Sequence, residues 1–314
     1  MKKIWGYLKN YFTVDFNPYY FFTVFILMGI AVWYEYTNNF NLIHIESDYK
    51  KPVYFIKNML LYAVPYLGCI MLYIIFSKRW ELLKNTEMWG LGILILLIYS
   101  FRCHFYWHKD IIYQNFPKTQ YIFWVKSLNQ LIYGALLFIP ISVFWYIKDR
   151  KNQNLYGWKI KGVDLKPYFT MLLIMVPLIG WASTQSDFQH SYPVAGNFRG
   201  LPENNILKWG FYLFFEIVYG LDFMMNEYFF RGFMILAMAK FLGKEAILPM
   251  VCMYVFIHFG KPAGETISSF FGGLILGILA LETKSIAGGF IAHLGVAYLM
   301  EIGGALGRGF FPNP

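Results

Sequence analysis

Charged side chains are scarce in this sequence, at 14% of its 314 residues, against about 25% in ordinary soluble domains. Hydrophobic residues account for 58% of the chain and aromatic residues for 21%. Such a chain has too little polar surface to cover a folded domain in water. The composition therefore argues against an ordinary soluble domain and favours a protein whose solvent is the lipid bilayer.

Cysteine is also scarce, and its pattern argues against two kinds of site. Cys69, Cys103 and Cys252 all lie in apolar stretches and form no CxxC pair, so we predict neither a disulfide framework nor a thiolate metal site. There is no HExxH motif, which excludes a standard zincin site. Despite the net charge of +9, no basic run is interleaved with aromatic residues, so we predict no nucleic-acid partner.

Long apolar runs are abundant, and several reach the roughly 20 residues that a helix needs to cross the hydrocarbon layer. These runs predict an all-α fold, a polytopic transmembrane helical bundle of about eight or nine spans. The run that begins at 209 is long for one crossing, and the run that begins at 246 is short. The candidate spans are residues 19–34, 53–76, 89–106, 122–147, 168–182, 209–241, 246–259, 266–281 and 286–306.

The N-terminus is basic and precedes an apolar run, as in a signal peptide. The run continues through residues 33–36 without a small-residue cleavage site, so we expect a retained first span. Alternate loops are richer in basic residues: Lys2, Lys3 and Lys9 precede the first span, and Lys148 and Arg150 follow the fourth. By the positive-inside rule this pattern predicts a cytoplasmic N-terminus.

The composition changes near residue 205. Before this point the spans are rich in aromatic residues and are joined by charged loops; after it, glycines and intramembrane ionisable residues become frequent. Ionisable residues at membrane depth are expensive and mark function by default. We therefore predict N-terminal transmembrane helices without a recognised motif over residues 1–205 and a function-bearing transmembrane domain over residues 206–314.

Four ionisable residues in the second region are candidates for a polar site. Glu227 and Arg231 are four residues apart, so on a helix they share a face and can pair; such a pair can also be a self-neutralising clamp between helices. His258 and His293 come from separate apolar segments. Either histidine alone fits a hydrogen-bonded core residue, but the cluster favours a site in which a carboxylate and an imidazole activate water.

Three motifs, NEYFFRG, YVFIH and FFGGLILGILALETKSIAGGFIAH, follow one another in this region. Their order and spacing resemble the CAAX-protease and bacteriocin-processing (CPBP, Abi-type) family over about residues 209–300. The resemblance implies an intramembrane endopeptidase with motifs of two glutamates and an arginine, an aromatic and a histidine, and a histidine and an asparagine. Glu227, Arg231, His258 and His293 match these motifs, and Tyr254 stands where the family usually has phenylalanine.

Two positions depart from the family pattern. Asn226 replaces the first glutamate, which in the family activates the water, and Ala297 replaces the asparagine. An asparagine cannot act as a carboxylate base, and an alanine offers no side-chain donor to an oxyanion. The mechanism that the resemblance implies therefore cannot run unchanged, and the chemistry is either rebuilt or lost.

Other carboxylates are available to replace the missing one. Asp222 lies one helical turn before Asn226, and Glu265 follows the second motif; Glu227 itself is a third candidate. The alternative for Asp222 is that it caps or neutralises a helix, and the alternative for Glu265 is an ion pair with Lys261 at the membrane interface. The sequence leaves these alternatives open.

Two further features predict architecture rather than chemistry. Gly273 and Gly277 form a GxxxG spacing, which allows close packing of helix backbones. Arg102 and His104 lie at the end of the third span, where long side chains can extend to the interface, so we interpret them as interfacial anchors.

Together, the residues and the resemblance predict an intramembrane endopeptidase-like protein that hydrolyses a membrane-associated peptide with water activated by a glutamate and a histidine. The expected catalytic residues are Glu227, His258, His293 and Arg231, with Arg231 orienting Glu227. No cofactor is expected, although two histidines and one glutamate are also a possible zinc set. The expected partners are the lipid bilayer and a membrane-associated peptide or protein substrate.

The alternative is a catalytically inactive relative that binds a membrane protein or peptide, and Asn226 and Ala297 argue for it. A transporter would use the same buried charges, but the chain shows no pair of matching halves with interrupted helices. We further expect an integral, multi-pass protein of a bacterial inner (cell) membrane with a cytoplasmic N-terminus.

Overall fold

The computed structural model describes residues 2–159 and 162–307, and all regular secondary structure within them is helical. The all-α prediction is confirmed. Residues 308–314, at the end of the predicted second domain, lie outside the described residues. The helices are α1 Lys2–Thr13, α2 Pro18–Asn38, α3 Val53–Ser77, α4 Thr86–His104, α5 Trp107–Asn115, α6 Tyr121–Phe144, α7 Lys166–Ala182, α8 Ser186–Ser191, α9 Asn205–Glu227, α10 Met238–Leu242, α11 Ile247–Phe256, α12 Ala263–Thr283 and α13 Ala287–Gly307.

Asparagine side chains begin three of these helices. Asn17 accepts a hydrogen bond from the backbone N–H of Tyr20, Asn85 caps α4 and Asn204 caps α9 in the same way. A capping side chain satisfies one of the backbone donors that the first helical turn leaves unpaired. The predicted domain boundary after residue 205 coincides with the start of α9, and the division into two domains stays a prediction.

Within the part of the chain that the structure describes, six helices are long and apolar enough to cross a membrane, so the chain has the architecture of a polytopic helical membrane protein. They are Pro18–Asn38, Val53–Ser77, Thr86–Asn115, Lys118–Asp149, Ala263–Thr283 and Ala287–Gly307. Helix α7 is apolar but has only 17 residues.

The two remaining candidate spans differ from a simple crossing. The run at 209–241 is divided into α9, a π-helical segment Tyr228–Ala237 and α10. The run at 246–259 contains α11, which has 10 residues and is therefore about 15 Å long. This is about half the thickness of the hydrocarbon layer. By contrast, α9 has 23 residues but is not among the helices that are both long and apolar enough to cross a membrane.

The π-helical segment and α11 form the centre of the protein. Every residue of Tyr228–Ala237 is buried, as is every residue from 247 to 255. They belong to a hydrophobic core that also contains residues of α3, α4 and α6. The outer helices expose large apolar side chains, such as Trp33, Leu173 and Ile206, as expected for a bundle surrounded by lipid.

Close packing of α12 against α11 depends on the predicted GxxxG glycines. A Cβ atom at Gly273 would lie 3.2 Å from Cδ1 of Tyr254, and one at Gly277 would lie 3.0 Å from Cγ2 of Ile247. A Cβ atom at either position would force its neighbour on α11 to shift by a few tenths of an ångström, so glycine favours this close approach of the two helices. The packing interpretation of these glycines is confirmed, and the contact fixes the position of Tyr254.

Candidate active site

A buried ion pair joins the end of α9 to the π-helical segment. Nη1 of Arg231 lies 3.0 Å from Oε1 of Glu227, and the two side chains are 1% and 0% exposed. The predicted contact between these two side chains forms even though the backbone changes from α to π geometry between Glu227 and Arg231. The π-helical segment has 10 residues, so it is longer than the single π turns that are frequent at functional sites.

His293 of α13 extends this pair into a chain of polar contacts. Its Nδ1 lies 2.8 Å from Oε1 of Glu227, and its Nε2 lies 3.2 Å from the hydroxyl of Tyr254. Because a carboxylate only accepts hydrogen bonds, Nδ1 is the donor, and Nε2 of the neutral ring accepts from the Tyr254 hydroxyl. Glu227 thus sets the orientation and the tautomer of His293.

Tyr254 of α11 lies between the charged pair and both histidines. The guanidinium carbon of Arg231 lies 4.0 Å from the centroid of the Tyr254 ring, within the range of a cation–π contact. The ring centroid of His258 lies 4.6 Å from that of Tyr254. Phenylalanine could supply both ring contacts, but only tyrosine supplies the hydroxyl that contacts His293.

His258 lies in the turn between α11 and α12, and its two ring nitrogens have different surroundings. Nδ1 is 2.7 Å from the backbone carbonyl oxygen of Tyr254, so Nδ1 donates to that oxygen. In the neutral ring Nε2 is then unprotonated. It faces Oε1 of Glu265 at 4.0 Å.

Glu265, in the first turn of α12, has two further partners. Nζ of Lys261 lies 2.7 Å from its Oε1, and the hydroxyl of Tyr192 donates to its Oε2 at 2.9 Å. The predicted ion pair with Lys261 is confirmed. The contact with His258 places Glu265 in the candidate site as well, and the side chain is 15% exposed.

Asn226 and Asp222 belong to a separate polar group. Nδ2 of Asn226 donates to Oδ2 of Asp222 at 2.9 Å, and Nη2 of Arg102 lies 3.4 Å from Oδ1 of Asp222. The Arg102 guanidinium also lies over the rings of Tyr99 and Tyr133. Our interpretation of Arg102 as an interfacial anchor was wrong: its side chain is only 14% exposed, because it neutralises a carboxylate on another helix.

Ala297, at the position of the family's asparagine, is buried among aromatic side chains. It belongs to a hydrophobic cluster with Phe123, Phe215 and Tyr219. This position of α13 packs against α9 and supplies no polar atom to the site. Any oxyanion donor must therefore come from another residue.

The side chains do not fit the zinc set considered from the sequence. Nδ1 of His293 is bonded to Glu227, Nε2 of His293 contacts Tyr254, and Nδ1 of His258 is bonded to a carbonyl oxygen. Within residues 2–159 and 162–307, no three histidine, cysteine or acidic side chains are grouped so that they could hold a metal ion. The absence of a cofactor stays a prediction.

Two residues that shape the site were not identified from the sequence. Tyr192 contacts Glu265 across 73 positions of the chain, and no local pattern indicates such a contact. Gly289 faces Oε2 of Glu227, and a Cβ atom at this position would lie 2.6 Å from that oxygen. The sequence feature that could have indicated Gly289 is its position in the GG pair of the third motif.

Comparison with known proteins identifies the C-terminal region. No curated protein and no solved structure matches the chain. A family model does match over residues 206–299, the region that contains Glu227, Arg231, Tyr254, His258 and His293. This segment is thus a domain similar to the type II CAAX prenyl endopeptidase Rce1-like family, which confirms the resemblance found in the motifs.

Proposed function

We propose that this protein is an intramembrane endopeptidase that hydrolyses a peptide bond in a membrane-associated peptide or protein. The observation that carries the proposal is the contact of 2.8 Å between Glu227 and His293. It joins an acidic and a basic residue from two helices inside an apolar bundle. Ionisable residues at this depth are costly, and they pair with one another where they serve a function.

The geometry supports a division of roles among the four expected catalytic residues. Arg231 holds Glu227, and Glu227 holds His293, so Glu227 acts on the site through the orientation of His293. His258 offers an unprotonated Nε2 to a water molecule. We propose that a carboxylate assists His258 in activating the water, as general acid–base catalysis requires.

Stabilisation of the oxyanion is assigned to the Tyr254 hydroxyl, which would turn its O–H from Nε2 of His293 toward the developing negative charge. Ala297 has no donor, whereas the Tyr254 hydroxyl lies 3.2 Å from Nε2 of His293 at the centre of the site. Donors fixed in a site from which water is excluded stabilise developing negative charge more strongly than donors in water do. Tyr254 would thus supply a polar group that phenylalanine at this position lacks.

The second candidate function is a catalytically inactive relative that binds a membrane protein or peptide. One observation favours it: the amide of Asn226 donates to Asp222, so the place of the first glutamate holds a neutral, hydrogen-bonded side chain. In this case the polar network would recognise a partner without cleaving it.

The proposed location is a bacterial inner membrane, with the N-terminus in the cytoplasm. Six apolar helices support an integral multi-pass protein. Lys3 and Lys9 of α1 and Lys148 and Arg150 after α6 supply the basic residues that the positive-inside rule places in the cytoplasm. Cysteine-substitution labelling of loops on the two sides would test this orientation.

Cleavage of a quenched library of membrane peptides by the protein in proteoliposomes tests the proposed activity. We expect cleavage by the natural protein and a loss of at least about 100-fold in kcat in His258→Ala and Glu227→Gln. His44→Ala, which removes an exposed histidine far from the site in sequence, is the matched control and should cleave normally. Cleavage that survives both site variants would argue against the protease, and peptide binding without cleavage would favour the second candidate.

A further inference from the structure

Nε2 of His258 is unprotonated in the neutral ring, and the candidate carboxylate partners of this nitrogen are Glu227, Asp222 and Glu265. Glu227 is fully buried, and its Oε1 is shared between Arg231 and His293. Its Oε2 lies so close to Gly289 that even a Cβ atom there would come within 2.6 Å. Glu227 is therefore committed to Arg231 and His293 through Oε1, and its Oε2, which is buried without a hydrogen-bond partner, faces the backbone of α13 at Gly289.

Asp222 is also committed to other partners. Oδ1 is paired with Arg102 of α4, and Oδ2 accepts a hydrogen bond from Asn226. Both oxygens of the Asp222 carboxylate are therefore occupied by side chains other than His258. Asp222 therefore fits a neutralising role between α4 and α9.

Glu265 is the carboxylate that faces the free nitrogen of His258. Oε1 of Glu265 and Nε2 of His258 are 4.0 Å apart, which is too long for a direct hydrogen bond. A water molecule at a hydrogen-bond distance of roughly 2.8 Å from each atom fits this separation. Glu265 and His258 therefore lie at the right distance to hold one water between them.

The surroundings of Glu265 fix its carboxylate in this position. The Tyr192 hydroxyl donates to Oε2 at 2.9 Å, and Lys261 pairs with Oε1 at 2.7 Å. The neighbouring residue Thr266 donates from Oγ1 to the backbone carbonyl of His258 at 2.7 Å. This bond ties the start of α12 to the histidine turn, so His258 and Glu265 are held as one unit.

We propose that Glu265 is the catalytic carboxylate that, together with His258, activates the hydrolytic water. This inference rests on the proposed endopeptidase function. Glu265 takes a proton from the water while the water oxygen bonds to the carbonyl carbon of the substrate. The C–N bond then breaks, the proton passes to the departing nitrogen, and the products are a carboxylic acid and an amine. Glu265 thus replaces the carboxylate that is missing at Asn226.

The experiment compares three variants of the full-length protein in proteoliposomes with the peptide that the natural protein cleaves. Glu265→Gln keeps the size of the side chain and its hydrogen bond to Tyr192 but removes the base. Lys261→Met breaks the same ion pair and leaves the carboxylate. Glu87→Gln, which removes an exposed carboxylate paired with Lys240, is the control. The melting temperature of each variant establishes that it is folded.

We expect kcat to fall by at least about 100-fold in Glu265→Gln with little change in KM, because a general base contributes about 10²–10⁴-fold to the chemical step. Lys261→Met should lower kcat by about tenfold at most, a smaller loss than in Glu265→Gln, because the Tyr192 hydroxyl still holds the carboxylate and a partly exposed ion pair contributes little. Glu87→Gln should be unchanged.

Equal losses in Glu265→Gln and Lys261→Met would show that the ion pair, not the base, matters, and would overturn the inference. Normal cleavage by folded Glu265→Gln would overturn it while leaving the endopeptidase function standing. Absence of cleavage by the natural protein would instead refute the proposed function, and the inference with it.

Discussion

Arg231→Met is the perturbation for which the structure gives the clearest energetic prediction. It replaces the guanidinium with an apolar side chain of similar length and leaves Glu227, which is 0% exposed, without its cation. Removal of one partner from a buried ion pair costs about 3–5 kcal/mol. For a chain of 314 residues such a loss lowers the melting temperature by roughly 5–8 °C.

A double-mutant cycle separates this loss from the general effects of the substitutions. In Glu227→Gln/Arg231→Met no unpaired charge remains, so we expect the double variant to be less destabilised than the sum of the single variants by about 2–3 kcal/mol. Arg79→Met removes an exposed arginine that pairs with Glu81 and should change stability by less than about 1 kcal/mol.

Thermal unfolding in detergent, followed by far-ultraviolet circular dichroism, measures these differences. The reasoning would be refuted if Arg231→Met melted within about 2 °C of the natural protein, since a buried ion pair of the expected strength cannot be broken so cheaply. Additive effects in the double variant would show that the two side chains act independently, contrary to their separation of 3.0 Å.

Two further substitutions test the site and the fold. Gly289→Ala places a methyl group 2.6 Å from Oε2 of Glu227, so it should lower the free energy of unfolding by about 1–3 kcal/mol and remove most of the cleavage activity. Gly272→Ala is the control, because a Cβ atom there would meet nothing within 4 Å. Equal activity of the two variants would argue against the close contact. Burial raises the pKa of Glu245, in the turn between α10 and α11, from 4.5 to about 7. The folded protein therefore holds this proton more tightly than the unfolded chain does. As the pH rises from 4.5 to 7, the free energy of unfolding falls by up to about 3 kcal/mol. Glu245→Gln should flatten this part of the stability profile, and an unchanged profile would contradict the shift.

The positions of the helices could largely be predicted from the sequence, because each apolar run reports directly on burial in lipid or in the core. The run at 53–76 corresponds to α3, Val53–Ser77, and the run at 286–306 corresponds to α13, Ala287–Gly307. The apolar run at 209–241 gives no indication that it is divided into α9, the π-helical segment and α10. A change from α to π geometry depends on tertiary packing, to which a hydropathy pattern is insensitive.

For the candidate site, too, the sequence predicted which residues take part but not which contacts they make between distant helices. Motif spacing was enough to select Glu227, Arg231, His258 and His293, and the structure brings them into one region around Tyr254; their catalytic roles stay predictions. The pairing of Arg102 with Asp222 spans 120 positions. Such a contact depends on which helices become neighbours, and one sequence read by itself contains no signal of this.

The short central helix α11 has a consequence for how this protein is made. At about 15 Å, α11 is too short to enter a bilayer stably by itself, and in the finished structure all but its last residue are enclosed by protein. Its insertion must therefore wait for the later helix α12, which packs along it through Gly273 and Gly277. We expect ribosome-bound chains that end before α12 to leave α11 accessible to water-soluble thiol reagents at Cys252, and longer chains to protect it.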